Sequence, residues 1–176
     1  MACTANHETL LGARRTAMFA GRYKTVVDAK GRAVVPKPFR QVTPDTVWVR
    51  AMLVNGLEDC LFLYTVDDWN RLMAAVAQRS AGLPDVDTMT FQRLFAGSCH
   101  TVEADGFGRI VIPLEFREEF GLQGDCVWVG AVDRAELWAL DRWNSYRQQS
   151  RNALKNIWDK MSRRGHQAEA GTHAPP

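Results

Sequence analysis

The chain has 176 residues, of which 46% are apolar and 24% charged; this composition excludes a disordered, collagen-like or membrane-embedded protein and corresponds to one domain, or two small ones built closely together. The longest apolar runs, such as Val47-Trp48-Val49 and Leu61-Phe62-Leu63-Tyr64, are far too short to span a bilayer. A formal charge of +2 hides a polarity along the chain: Arg22 to Arg40 carries six basic residues against Asp28, residues 41 to 141 carry seven against sixteen acids, and Arg142 to Arg164 carries seven against Asp159.

Residues 1–17 place Arg14 and Arg15 after the weak apolar pair Leu10-Leu11, the wrong order for a secretory signal, so a cytoplasmic protein is expected. A first strand, Tyr23 to Val27, enters a turn at Asp28-Ala29-Lys30-Gly31, where Asp can bond its own backbone and Gly supplies a positive φ. A β-branched strand, Arg32 to Val35, leaves it and is stopped by Pro36, which suits the first turn of a short helix. A second hairpin is expected from about Val47 to Met52 with Cys60 to Tyr64. A helix follows, N-capped by Asp67, with Trp69, Leu72, Met73 and Val76 at helical spacing. Gly82-Leu83-Pro84 breaks the chain, and Thr88 to Phe95 reads as a short amphipathic helix with Phe91, Leu94 and Phe95 on one face. The pattern then begins again: strand Cys99 to Ala104, a turn at Asp105, strand Arg109 to Ile112, Pro113, helix Leu114 to Phe120 closed by Gly121 as C-cap, hairpin Cys126 to Gly130 with Ala135 to Leu140, and a helix capped by Asp141. A basic C-terminal helix carries Leu154, Trp158 and Met161 as an apolar stripe, and the tail from Gly165 is expected to be disordered.

The second half repeats the first. Asp28 to Arg40 aligned with Asp105 to Arg117, an offset of 77, is identical at seven of thirteen positions. Val47-Trp48-Val49 answers Val127-Trp128-Val129, and Asp67-Asp68-Trp69-Asn70 answers Asp141-Arg142-Trp143-Asn144. Trp48, Trp128, Trp69 and Trp143 thereby occupy matching positions, as core packing would require. Strands this short cannot bury an apolar face alone. The expected fold is therefore α+β, mainly β: one compact duplicated domain whose units interleave into a small barrel about a pseudo-two-fold axis, with peripheral helices.

The repeated motif is D-x-x-G-R running into a β-branched strand and proline. The carboxylates of Asp28 and Asp105 can accept turn backbone donors and fix the forks of Arg32 and Arg109, either as plain turn-stabilising pairs or as presented arginines. Arg22, Lys24, Lys30 and Arg40 accompany the first copy, and clustered basic residues suit a phosphate backbone, while a fixed guanidinium suits guanine O6 and N7. The second copy is different: Phe107 replaces Lys30, and Cys99 to Phe120 holds two basic residues against five acids.

Met18-Phe19-Ala20-Gly21-Arg22-Tyr23, Asp28-Ala29-Lys30-Gly31-Arg32, Val35-Pro36 and Phe39-Arg40 resemble the opening of the MraZ family, and Phe91-Gln92-Arg93-Leu94-Phe95, Asp105 to Arg109 and Leu137-Trp138 resemble its second half. The resemblance covers about residues 18 to 146. It implies two SpoVT-AbrB-type units forming a duplicated swapped-hairpin, double-split β-barrel, with unit one at 18–80, a connecting helix at 81–97, unit two at 98–146, and a basic helix and tail at 147–176. It implies a bacterial transcriptional regulator that associates with the nucleoid, assembles into rings, and binds double-stranded DNA at G-run direct repeats upstream of the division and cell-wall genes. The residues expected to carry DNA binding are Arg22, Lys24, Asp28, Lys30, Arg32, Arg40, Asp105 and Arg109, with the first hairpin dominant. Family members usually begin at the equivalent of Met18, so residues 1–17 are expected to be a disordered, dispensable extension.

Rival chemistries find little support in the sequence. A shared-proton dyad of Asp28 and Asp105 would make an enzyme, but each Asp has an Arg four residues on and no Asp-Thr/Ser-Gly pattern. Gly106 and Gly108 do not extend to a dinucleotide fingerprint. Cys3, Cys60, Cys99 and Cys126 form no C-x-x-C pair, and His7, His100, His166 and His173 are scattered, so no metal, cofactor, catalytic group or small-molecule substrate is expected. An antitoxin-like module of the same hairpin fold, binding a partner protein as well as DNA, remains the alternative.

Overall fold

A computed structural model describes residues 18–42, 50–79, 85–151, 153, 154 and 156–161. The expectations for residues 1–17, Val47-Trp48-Val49, Gly82-Leu83-Pro84 and the tail from Gly165 lie outside these residues. The elements run β1 (Arg22–Val27), β2 (Arg32–Val34), α1 (Lys37–Arg40), β3 (Arg50–Asn55), β4 (Cys60–Thr65), α2 (Val66–Arg79), α3 (Val86–Gly97), β5 (His100–Glu103), β6 (Arg109–Val111), α4 (Leu114–Phe120), β7 (Gly124–Gly130), β8 (Ala135–Ala139) and α5 (Leu140–Ser150). The chain divides into two compact units between Ala139 and Leu140.

In the first unit the α+β, mainly antiparallel character is as expected. Six strands form one sheet in the order β1-β7-β8-β4-β3-β5, and β2 and β6 form a separate two-stranded ribbon. Each hairpin pairs with the other copy: β1 with β7, β2 with β6, and β5 with β3, all antiparallel. The order of the sheet reads the same when the two repeats are exchanged. Its centre is the β4–β8 pair, where Phe62 stands opposite Glu136, and the centre of the ribbon is Ala33 opposite Ile110. Both pairs join repeat-equivalent positions.

Alternation along the strands sorts the side chains. Leu53, Leu61, Leu63, Cys126, Trp128, Ala135 and Leu137 turn to one face of the sheet and meet Ala33 and Ile110 of the ribbon, Phe39 of α1 and Phe116 and Phe120 of α4 in one continuous core. The opposite face carries an aromatic chain, Phe62 to Tyr64 to Trp69 to Phe95 to Phe91, with ring centroids 5.2 to 6.3 Å apart. Leu94, expected on the same face of α3 as those phenylalanines, is 69% exposed.

Three local expectations need correction, the first being the Asp141 cap: α5 begins at Leu140, which puts Asp141 inside its first turn. The N-cap of α2 is Thr65, not Asp67: its hydroxyl accepts from the Asp68 amide at 3.1 Å and donates to the Asp68 carboxylate at 2.6 Å, a reciprocal cap that places Asp67 inside the first turn. The expected match of Trp48 to Trp128 is the third: β3 sets Leu53 opposite His100 while β7 sets Trp128 opposite Tyr23. Since Tyr23 and His100 are repeat equivalents, the counterpart of Trp128 is Leu53, not Trp48. Repeat equivalence in the sheet follows the pairing partner that sets strand register, not shared letters.

In the second unit α5 contains no buried residue, and Trp143 stacks on Tyr146 at 5.9 Å. Leu154, Trp158 and Met161 are largely exposed. No helix among the described residues is long and apolar enough to cross a membrane.

Candidate nucleic-acid interface

Each D-x-x-G-R turn is a small machine for aiming one arginine. In the first, Asp28 Oδ1 accepts from the amides of Lys30 and Arg32, both at 2.9 Å, while Oδ2 accepts from Arg32 Nε at 2.8 Å and Nη2 at 2.7 Å. In the second, Asp105 Oδ1 accepts from Phe107 and Arg109 amides at 2.9 and 3.0 Å, and Oδ2 from Arg109 Nε and Nη2, both at 2.7 Å. The Arg32 side-chain hydrogen bond, followed by that of its backbone, holds the Asp28 carboxyl at about 2. Asp105 is lowered too, chiefly by the Arg109 backbone amide. Neither carboxylate is a proton-sharing acid: each is a fixed anion clamped to a guanidinium. A guanidinium has five N–H donors. The carboxylate takes its Nε side, which leaves the Nη1–Nη2 edge for a second planar acceptor.

The ribbon brings the two turns together. Arg32 pairs across with Val111 and Val34 with Arg109. Ala33 and Ile110 point inward at 0% exposure, so Arg32, Val34, Arg109 and Val111 share the outer face. Two diagonal neighbours in such a ribbon stand roughly 7–8 Å apart, and the sequence alone could not place Arg32 and Arg109 so near one another.

Arg40 takes part in a structural joint. Its Nε donates to Val35 O at 3.0 Å, and its guanidinium lies over Gly108 so closely that a Cβ there would sit 2.5 Å from Arg40 Nε and Cζ. Arg117 repeats this, donating to Ile112 O at 3.1 Å and covering Gly31, where a Cβ would lie 2.6 Å from its Nε. Both glycines have φ +76°, so each is required twice, for backbone handedness and for space. Backbone bonds Val35 N to Gly108 O (2.9 Å) and Ile112 N to Gly31 O (2.8 Å) close the same joints. Arg40 and Arg117 therefore lock each turn to the opposite copy. Their recurrence at the same point of both motifs is a trace of this structural role that the sequence does offer.

Around the ribbon, charge divides unevenly. Arg22, Lys24, Lys30 and Lys37 are all exposed on the first copy. Their counterparts at the offset of 77 are Cys99, Thr101, Phe107 and Leu114. Phe107 is 77% exposed and lies under the Arg109 guanidinium, 5.0 Å from centroid to Cζ. Exposed Glu103 is occupied by Arg50 at 2.8 Å, and Glu115 accepts from His100 at 2.7 Å.

The remaining candidate chemistries find no site among the described residues. No group of three or more metal-ligating side chains occurs there. Cys60 and Cys126 are buried and Cys99 half-buried, none in a disulfide; burial pushes the Cys60 thiol up strongly and that of Cys99 to about 11, the opposite of a reactive thiolate.

The family model for MraZ proteins, described as antitoxin-like, matches twice, at residues 18–93 and 94–165. The chain belongs to the MraZ family. Among its relatives is a protein of Acetivibrio thermocellus named transcriptional regulator MraZ, 36% identical over 148 residues, which cover 84% of this chain and 99% of the relative. Proteins of the same name from Natranaerobius thermophilus and Ligilactobacillus salivarius are 32% and 35% identical over 144 residues, covering 82% of this chain and 96% of each relative. The boundary between the two MraZ matches falls within α3, so each match takes in one D-x-x-G-R turn.

Proposed function

We propose that this MraZ-family chain is a sequence-specific, double-stranded DNA-binding regulator of transcription that presents the β2–β6 ribbon and its two turns to the major groove. The observation that carries the reading is the pair of carboxylate-clamped arginines on one exposed ribbon face. A two-stranded ribbon fits the major groove of B-DNA, and an arginine edge fixed in advance is suited to guanine O6 and N7. The cross-copy strand pairing supports assigning the fold to the duplicated swapped-hairpin, double-split barrel of SpoVT-AbrB type.

The copies divide the work. Arg22, Lys24 and Lys30 draw the phosphate backbone to the first hairpin and Arg32 reads from it; Arg109 contributes less, and exposed Phe107 serves structure or subunit contact. Arg40 supports binding by holding the second turn in place. The preferred targets are G-run direct repeats upstream of division and cell-wall genes, in the nucleoid. There a ring of subunits turns each later contact into an intramolecular step, so that weak single hairpins sum to tight binding.

Fluorescence-anisotropy titration onto duplexes with spaced G-run repeats and onto scrambled duplexes, at several salt concentrations, tests this. Tight, repeat-dependent binding that weakens steeply with salt is expected. Equal, sequence-blind binding or none would overturn it and favour a module whose main partner is a protein.

A further inference from the structure

The outer face of the ribbon carries more than its arginines. Val34 and Val111 occupy the two cross-strand positions opposite Arg109 and Arg32, and they are 46% and 58% exposed. They are repeat equivalents, so the exposed apolar side chain recurs on both strands of the ribbon. Val34 is also held in place from beneath, since its carbonyl accepts from Trp128 Nε1 at 2.9 Å and Thr25 Oγ1 at 3.2 Å.

A lone exposed valine needs no explanation. Two of them, alternating with two clamped arginines on a four-residue face, form a chemical pattern. If the arginine edges are set against guanine O6 and N7, the valines, one side-chain spacing away on the same face, would face neighbouring base edges. The only apolar group on the major-groove floor is the C5-methyl of thymine. Valine is stiff about χ1, so meeting that methyl costs it little side-chain freedom.

Building on the DNA-reading proposal, we infer that Val34 and Val111 read thymine C5-methyl groups beside the guanines contacted by Arg32 and Arg109, with Val34 contributing more because it lies on the strand of the basic copy.

The test replaces thymine by deoxyuridine, position by position, in a G-run repeat duplex with flanking thymines, which deletes one methyl and leaves every hydrogen-bonding group unchanged. Loss of one buried methyl corresponds to roughly four-fold weaker binding per repeat, expected at one or two positions and nowhere else. The Val34→Ala, Val111→Ala double variant is expected to bind thymine and deoxyuridine duplexes equally, with its circular dichroism unchanged because both side chains face solvent. Val34→Ala alone is expected to lose more of the discrimination than Val111→Ala. Repeat-specific binding that is indifferent to every thymine methyl, or a methyl preference that survives in the double variant, overturns this inference and leaves the DNA-reading proposal standing. Binding with no sequence preference at all overturns both.

Discussion

The two hairpin copies, Arg22 to Arg40 and Cys99 to Arg117, are close to superposable in their contacts and unlike in their charge. Asp28 and Asp105 make the same four hydrogen bonds. Tyr23 meets Phe39 edge-on at 5.1 Å where His100 meets Phe116 at 5.0 Å, and each copy's terminal arginine covers the other copy's turn glycine. Yet the exposed cations of the first copy, Arg22, Lys24, Lys30 and Lys37, each correspond to a neutral residue at the matching place in the second. Duplicated parts that build one core must keep their packing and joints, whereas solvent-exposed positions can change with little effect on stability. The copies therefore share their clamped arginines and joints and differ in the charge of the exposed positions around them.

Four measurements break or sharpen that comparison. Arg32→Ala is expected to abolish repeat-specific DNA binding, since a bidentate arginine–guanine pair is worth roughly 1–3 kcal/mol at each hairpin engaged, while Arg109→Ala costs much less; equal losses in anisotropy titrations, with folding intact, would remove the asymmetry. Gly31→Ala and Gly108→Ala are expected to destabilise by about 2 kcal/mol each in urea unfolding, through positive φ and displacement of the covering arginine. Here the copies should behave alike, and a large difference between the variants would mean that one joint dominates. Lys30→Ala is expected to reduce the slope of log affinity against log salt by about 0.9, one phosphate contact, and Phe107→Lys to raise it by no more than that. If Phe107→Lys has the larger effect, DNA lies nearer the second turn.

The smallest effect expected is that of pH. A carboxylate whose folded pKa is lowered stabilises fully above its ordinary value near 3.8 and loses that contribution as pH falls through the folded value, about 2 for Asp28. Stability and affinity should therefore show no step from either turn aspartate between pH 5 and 8. A carboxyl carbon NMR titration of Asp28 with a midpoint near 4 would mean that the clamp is open in solution.

Much of the site is legible in the sequence because it is local. An Asp, a Gly three residues on and an Arg four residues on close their bonds within one turn, and the same letters in both halves report the same turn. The Gly121 cap is local in the same way, with φ 64° and its amide bonded to Arg117 O. Charge polarity is likewise a property of the letters. The failures are non-local. Asp67 looks like a helix cap until Thr65 is seen to reach Asp68, and Val47-Trp48-Val49 looks like the mate of Val127-Trp128-Val129 until the partners of β3 and β7 fix the register. Arg40 counts as one more surface cation until Gly108 is found beneath it.

From its sequence alone this chain is a duplication of one hairpin unit, with turns, strand stops and a charged first copy, and with too little apolar surface per unit for either to stand alone. Only the tertiary structure decided that each hairpin pairs with the other copy, that Ala33 and Ile110 meet at the centre of a ribbon, and that Arg32, Val34, Arg109 and Val111 come to lie on one face. The reason is range: a turn is settled by bonds spanning four residues, whereas β2 and β6 meet across 77 residues of chain, and that partnership follows from burying both inward faces in a single core.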